Sequence, residues 1–444
     1  MTALCFRELL SIPPAECWDV DLHGVEARTW ARQAKLPLRL GGCGLRDSSA
    51  LRFACYWASW ADSMPDIIRR FPVAGRDMLR YLSAAQALDD DAALPGPSCL
   101  VQADLAGKVC RQQGWTDRPL WIDIVAGLRP QEPARNVISL GEWKHGWQFH
   151  ASQPSTARSH EVLMRELSAP TFRNNAATVG KCRLRSCSGP FAATWMTVCP
   201  KTEGLTMNNQ QLQFALRRRL GLAVCWDGPD AHGHAIIAAR GAAMNARHTV
   251  MIAAWRQVFI EAGGKVPDRN RERMLRNTHI PVPPEDTRRM DLVVPGLNVA
   301  RGLPLFCDAT ILSPVSGNGL PRASTSNADG RLLEQAQRDN DHIYEEVLST
   351  GLGVFLCLGC EVYGRWGDQC VKLVPELARE RTRGLHPRVR RGTALALQHR
   401  WWGILGMALQ KSVAEMVANA DAGADLVTGE LEPSPDLCDL EVIA

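Results

Sequence analysis

Asp291 and Asp308 are the residues whose type and spacing best suit chemistry. Asp291 opens a short apolar run, Leu292-Val293-Val294, and Asp308 lies in the middle of a second run from Leu303 to Leu312. Alternation in the second run puts Leu305, Cys307, Ala309 and Ile311 on one face and Phe306, Asp308 and Thr310 on the other, the pattern of a β-strand. Pro295-Gly296 and the residues after it leave room for a turn, so the two runs read as neighbouring strands. Two carboxylates on adjacent strands can converge on one magnesium ion, which prefers oxygen ligands and keeps several waters. Such an ion activates water and neutralises charge building on a phosphodiester. Glu361, just beyond the apolar run Val354-Phe355-Leu356-Cys357-Leu358, would add a third oxygen ligand or orient a water. The competing reading is a set of ordinary structural carboxylates in and beside strands.

The elements that must position these acids follow from periodicity. A helix is expected over about 329–349 between the second strand and the run at Val354, with further helices over about 366–382 and 391–418. Strand, strand, helix, strand, helix describes a compact α/β unit. Upstream, Leu212, Leu216 and Leu220 repeat every four residues in a helix from Asn208, and Gly221 stands where it would stop; this helix is expected to present its arginines outward. Another amphipathic helix is expected over about 241–262, ending at Gly263-Gly264. The first 85 residues have helical spacing, interrupted by a turn from Leu36 to Leu45. Beyond it, Leu51, Ala54, Cys55, Ala58 and Ala61 share one helix face, with Asp47 or Ser48 as its N-cap. Residues 87–99 read as a linker, with a boundary near 95, and residues 100–203 as an irregular helical connector in which Gly141 to Phe149 packs a small satellite core.

The 444 residues are too many for one ordinary core. A net charge of +4 does not by itself argue for nucleic acid, because phosphate affinity comes from local patches. Arginine outnumbers lysine and clusters at Arg217-Arg218-Arg219, from Arg269 to Arg276, at Arg288-Arg289 and from Arg379 to Arg391; these are candidate phosphate contacts or, alternatively, solvated helix faces. The 15 cysteines lack a framework spacing and read as reduced, buried thiols. No membrane span or signal peptide is expected, which places the chain inside the cell. No nucleotide-binding glycine loop or nucleophile elbow is present, and Trp401-Trp402 reads as core on an amphipathic helix.

Several short blocks in a fixed order bring in a family. Arg288-Arg289-Met290-Asp291-Leu292, Gly302-Leu303-Pro304-Leu305-Phe306, Asp308-Ala309-Thr310-Ile311-Leu312-Ser313-Pro314 and Glu361-Val362-Tyr363-Gly364-Arg365-Trp366 resemble the restriction-like endonuclease region of non-LTR retrotransposon polyproteins. Upstream, Leu36 to Leu45 is similar to the stretch after the reverse transcriptase core, Gly189-Pro190 to Pro200 to the connector, and Leu216 to Leu222 with Arg247-His248 to the flanks of a zinc knuckle. The resemblance implies a helical remnant of the polymerase thumb over 1–95, a connector over 96–203 and a helix with a zinc-knuckle segment over 204–240. It further implies a PD-(D/E)xK-like nuclease domain, a mixed sheet flanked by helices, over 241–420. Residues 421–444 are acidic and read as a disordered tail. The implied activity is Mg2+-dependent nicking of target DNA to prime reverse transcription, with Asp291 and Asp308 as the two acids and Glu361 beside them. The implied partners are DNA, template RNA and a reverse transcriptase domain encoded upstream, and the implied location is the nucleus.

The pattern departs from the family at its cation. This nuclease type needs a lysine to stabilise the phosphorane or favour a metal-bound hydroxide. Two residues after Asp308 stands Thr310. In the following helix, a few residues before Tyr344, Asn340 stands where these retrotransposon domains often carry the lysine. Arg338 and His342 are the substitutes to consider. The knuckle is also incomplete: Cys225, His232 and His234, with His248, are the available Zn2+ ligands, and Ala238 or Ala239 stands where a cysteine is expected. The expectation is therefore an endonuclease-like domain of weakened or lost activity, the alternative being a non-catalytic nucleic-acid-binding fragment.

Overall fold

The computed structural model describes residues 10, 25–45, 47–88, 92–130, 146–168, 176–224, 231–239, 241–267 and 271–421. Among these are 14 α-helices and one four-stranded mixed sheet. The chain divides into two compact units, residues 20–169 and residues 1–19 with 170–444. The division falls near residue 169, whereas a boundary near 95 was expected. The reason is packing: residues on both sides of the 87–99 segment share one core.

The first unit is helical, with α1 (Val25–Lys35), α2 (Ser48–Arg70), α3 (Pro72–Gln86), α4 (Ser98–Gln112), α5 (Trp121–Val125) and α6 (Trp147–Glu166). Asp47 caps α2, its carboxylate accepting from the Ser49 N–H at 3.0 Å, which satisfies a donor that the first helical turn leaves without an intrahelical partner. In the preceding turn only glycine fits at position 42, because a Cβ there would collide with the Leu36 carbonyl. The core is built on Trp57, fully buried, with ring centroids of Trp115, Trp121 and Trp147 at 4.8, 5.1 and 6.1 Å. Leu100 and Ala103 of α4 join it. Trp147 thus belongs to the main core of this unit, and residues 141–145 of the expected satellite lie outside the described residues.

In the second unit, α7 (Ala176–Cys187), α8 (Asn209–Leu220), α9 (His234–Ala238) and α10 (Ala242–Glu261) precede strands β1 (Arg271–Met274), β2 (Arg289–Val294) and β3 (Leu305–Leu312). Helices α11 (Arg331–Ile343) and α12 (Glu345–Thr350) lead to β4 (Val354–Glu361), then α13 (Asp368–Arg381) and α14 (Pro387–Asp421). The order is β1-β2-β3-β4, antiparallel except for the parallel β3–β4 pair, whose strands need the α11–α12 crossover between them. The alternation of β3 is as expected: Leu305, Cys307 and Ala309 pack in a core with α10, α13 and α14, while Phe306 packs on the other face with Tyr344, Val347 and Phe355. Strand β1 falls in residues read from sequence only as part of a basic cluster; its arginines suit a sheet edge. Trp401 and Trp402 are core, with Phe191 stacked on Trp402 at 4.5 Å.

Asn208 and Gln211 form a reciprocal capping box at the start of α8, and Gly221 ends it with φ at 74°. The arginines of this helix are buried, Arg217, Arg218 and Arg219 at 5%, 4% and 2% exposure, which corrects the outward placement expected for them. No helix among the described residues is long and apolar enough to cross a membrane. Of residues 421–444, read as a disordered tail, Asp421 ends α14 and 422–444 lie outside the described residues.

Candidate functional site

Where β2 leaves β3, the two aspartates enter a shared polar site. The β2–β3 pairing runs Val294↔Leu305, Val293↔Phe306 and Leu292↔Cys307 and ends there. Leu292 and Val294 belong to one core and Val293 to the other, yet Met290 sits with Val293. The alternation therefore breaks at Asp291. Ala309, beyond the last paired residue, has its backbone groups met by side chains. Its N–H donates to Asp291 Oδ2 at 2.6 Å and its carbonyl lies 3.0 Å from His248 Nε2. The same nitrogen lies 3.1 Å from Asp291 Oδ2. Both neighbours are acceptors, so this nitrogen carries the proton. The Asp291 hydrogen bond holds the imidazole above its ordinary pKa, against the opposing effect of burial.

Asp308 lies on the face of Phe306. Its Oδ2 accepts from the Thr310 hydroxyl at 3.1 Å and from Asn340 Nδ2 at 2.9 Å. The Asn340 amide nitrogen also reaches Thr310 Oγ1 at 3.2 Å and Cys357 Sγ at 3.5 Å. Burial pushes the Asp308 carboxyl above its ordinary range and the charge of Asp291 adds to this, while Thr310, His248 and Asn340 oppose it. The two acids therefore sense one another electrostatically, as their placement on adjacent strands requires. Tyr344 closes the site from below α11, its hydroxyl donating to the Arg289 carbonyl at 3.0 Å. Burial first, then the charges of Asp308 and Asp291, raise its phenol pKa.

Other expected site residues are elsewhere. Glu361 pairs with Leu312, whereas Asp308 pairs with Cys357; four residues of strand separate the two acids by about 13 Å at ~3.3 Å per residue. Glu361 is buried, with Ser186 and Arg365 as its polar neighbours, and desolvation raises its pKa. Arg338 and His342 are exposed, and Arg338 donates to Gln335 Oε1 at 2.8 Å. Each is two residues from Asn340, roughly 200° around the helix, so neither shares the face that Asn340 turns to Asp308. Arg288 spans Asp286 and Glu346, with its Nη2 donating at 2.5 and 2.7 Å, and so ties the start of β2 to α12; Arg289 is exposed. Arg217 donates to the carbonyls of Ala223 and Leu10, both at 2.5 Å, and Arg218 lies 4.8 Å over the Tyr363 ring. Burial withdraws these guanidinium groups from phosphate contact.

The expected zinc ligands lie only partly within the described residues. Cys225 lies outside the described residues, and the His232 and His234 rings stand 5.7 Å apart. His248 is engaged at the aspartate pair. Among the described residues no three Asp, Glu, His or Cys side chains are grouped to hold a metal ion. At the aspartates, Asp291 Oδ2, Ala309 O and Asp308 Oδ2 are the oxygens nearest in kind to a Mg2+ site, and each already accepts hydrogen bonds from side chains or backbone. These contacts engage one oxygen of each carboxylate, and Asp291 and Asp308 would be the residues to hold a divalent ion. The arrangement holds a proton between two acceptors at His248 Nε2 and sets the Asp308 charge where burial and Asp291 both oppose it.

His248 is the residue that sequence reasoning misplaced. It was grouped with the knuckle ligands; its contact with Asp291 spans 43 positions and leaves no periodic signal. Compared with known proteins, the chain matches no family model and no curated sequence.

Proposed function

We propose that the second unit is an endonuclease-like, DNA-binding domain of the non-LTR retrotransposon type in which phosphodiester cleavage is lost or strongly weakened. The observation that carries this reading is the Asn340 amide bonded to Asp308 at 2.9 Å, the position where the resemblance calls for a lysine. An amide donates a hydrogen bond but carries no charge to set against a phosphorane or to favour hydroxide. Support also comes from the sheet: an antiparallel pair bearing the two acids, followed by a helical crossover to a parallel strand, is compatible with a PD-(D/E)xK-like layout. His248 adds to the weakening by engaging Asp291 Oδ2 and the Ala309 carbonyl. On this reading the chain holds target DNA, works with a reverse transcriptase and its template RNA, and does so in the nucleus.

The test is nicking of supercoiled plasmid with Mg2+ or Mn2+. The native chain is expected to stay at background, and Asn340→Lys to gain cleavage that Asp291→Ala abolishes. Efficient metal-dependent nicking by the native chain, lost in Asp291→Ala and Asp308→Ala, would overturn the reading of lost activity. Failure to bind DNA would overturn the whole assignment.

A further inference from the structure

Six arginines crowd the corner between α13 and α14: Arg379, Arg381, Arg383, Arg388, Arg390 and Arg391, with Glu380 as the one acid in that stretch. All six are exposed. The corner is well formed, since the buried Thr382 hydroxyl donates to the Ala378 carbonyl at 2.8 Å and the Leu385 N–H to the Thr382 carbonyl at 3.0 Å. Arg379 and Arg383 meet Glu376 and Glu380 only loosely, at 3.9 and 3.6 Å. Arg390 turns back on the Leu385 carbonyl at 3.0 Å. Among the described residues, no acid lies within ion-pair distance of Arg381, Arg388 or Arg391.

Three of these charges meet no acid among the described residues. Arg388, Arg390 and Arg391 stand at the start of a 35-residue helix that has no acid in its first turn. The helix dipole presents positive potential there, so cations at this end are unfavourable and anions favourable. Much of the other basic clusters is engaged within the molecule: Arg217 to Arg219 are buried, Arg288 is paired with two acids, and Arg273 and Arg276 donate to the carbonyls of Asn277 and Pro284. A rigid corner carrying unneutralised arginines at a positive helix end fits a polyanion whose charges are closely and regularly spaced.

We infer that this corner docks double-stranded DNA by its phosphate backbone, with Arg383, Arg388, Arg390 and Arg391 as the main contacts. The inference rests on the DNA reading above and says which surface carries it. These contacts are sequence-independent and salt-sensitive.

The experiment compares the full native chain with Arg383→Gln/Arg388→Gln/Arg390→Gln/Arg391→Gln, using fluorescence anisotropy on a short duplex over a salt series, with far-UV circular dichroism and Tm as folding controls. Each lost phosphate contact flattens the log Kd against log salt slope by ~0.9. Loss of three or four contacts is expected to flatten it by about 3 and to weaken binding on the order of 1000-fold near 0.1 M salt, with Tm unchanged or higher. An unchanged slope and affinity in a folded variant would overturn the docking surface while leaving the DNA reading intact. A native chain that binds no duplex would overturn both. Tighter binding of the native chain to hairpin RNA or to phosphatidylserine vesicles than to duplex DNA would overturn the choice of partner.

Discussion

Substitution of Asp291 by asparagine should move the titration of His248 more than that of any other histidine. The His248 side chain is 35% exposed and its Nε2 lies 3.1 Å from Asp291 Oδ2, so the carboxylate favours the imidazolium. Its pKa in the folded chain is raised above the ordinary 6.5, with the Asp291 hydrogen bond as the leading cause. A raised histidine pKa means that the folded state binds the proton more tightly than the unfolded state. The stabilisation is therefore fully present below about pH 6.5, the unfolded value, and is lost as pH rises through the folded value. A hydrogen bond to a charged group contributes about 1.5–3 kcal/mol when buried. Solvent screening at this exposure reduces the pH-dependent part to about 1 kcal/mol. The assay is a proton NMR titration of the histidine ring signals, with the His248 signal assigned by its disappearance in His248→Gln. In Asp291→Asn the His248 midpoint should fall, and urea unfolding should lose its stability gain on the acid side. A native His248 midpoint at or below the ordinary value, or one indifferent to Asp291→Asn, would refute the pairing and with it the account of how Asp291 is occupied.

The neighbouring acid should behave in the opposite sense. The folded-state pKa of Asp308 is raised, first by burial and then by Asp291, so its charge costs stability once pH exceeds the folded value, and the cost disappears below the unfolded value near 3.8. Asp308→Asn keeps the shape and removes the charge, and is expected to stabilise the second unit by about 1 kcal/mol at neutral pH, measured as a rise in the urea midpoint that vanishes at low pH. In the first unit, Trp57 is fully buried against three other indoles. Trp57→Ala is expected to cost about 3–5 kcal/mol and to unfold residues 20–169 at lower denaturant while the polar contacts around Asp291 persist, which hydrogen exchange resolved by unit would register.

Periodicity alone was enough for the elements around the site. The alternation through Phe306, Asp308 and Thr310 and the apolar run before Glu361 marked strands, and the chain placed them as β3 and β4, because one residue in two must face a core on a pleated sheet. Asp47 and Gly221 were legible for a similar reason, since a helix end imposes its needs within a few residues. Burial of Arg217, Arg218 and Arg219 was not legible: helical spacing says which residues share a face, and only the packing of α8 against Tyr363 and Leu10 decides whether that face meets water. His248 depends on α10 lying over the end of β3, and the separation of Glu361 from Asp308 depends on strand register. Local order thus follows from interactions that decay within a turn or a strand pair, whereas the company a charged side chain keeps is set by which distant segments the two cores draw together.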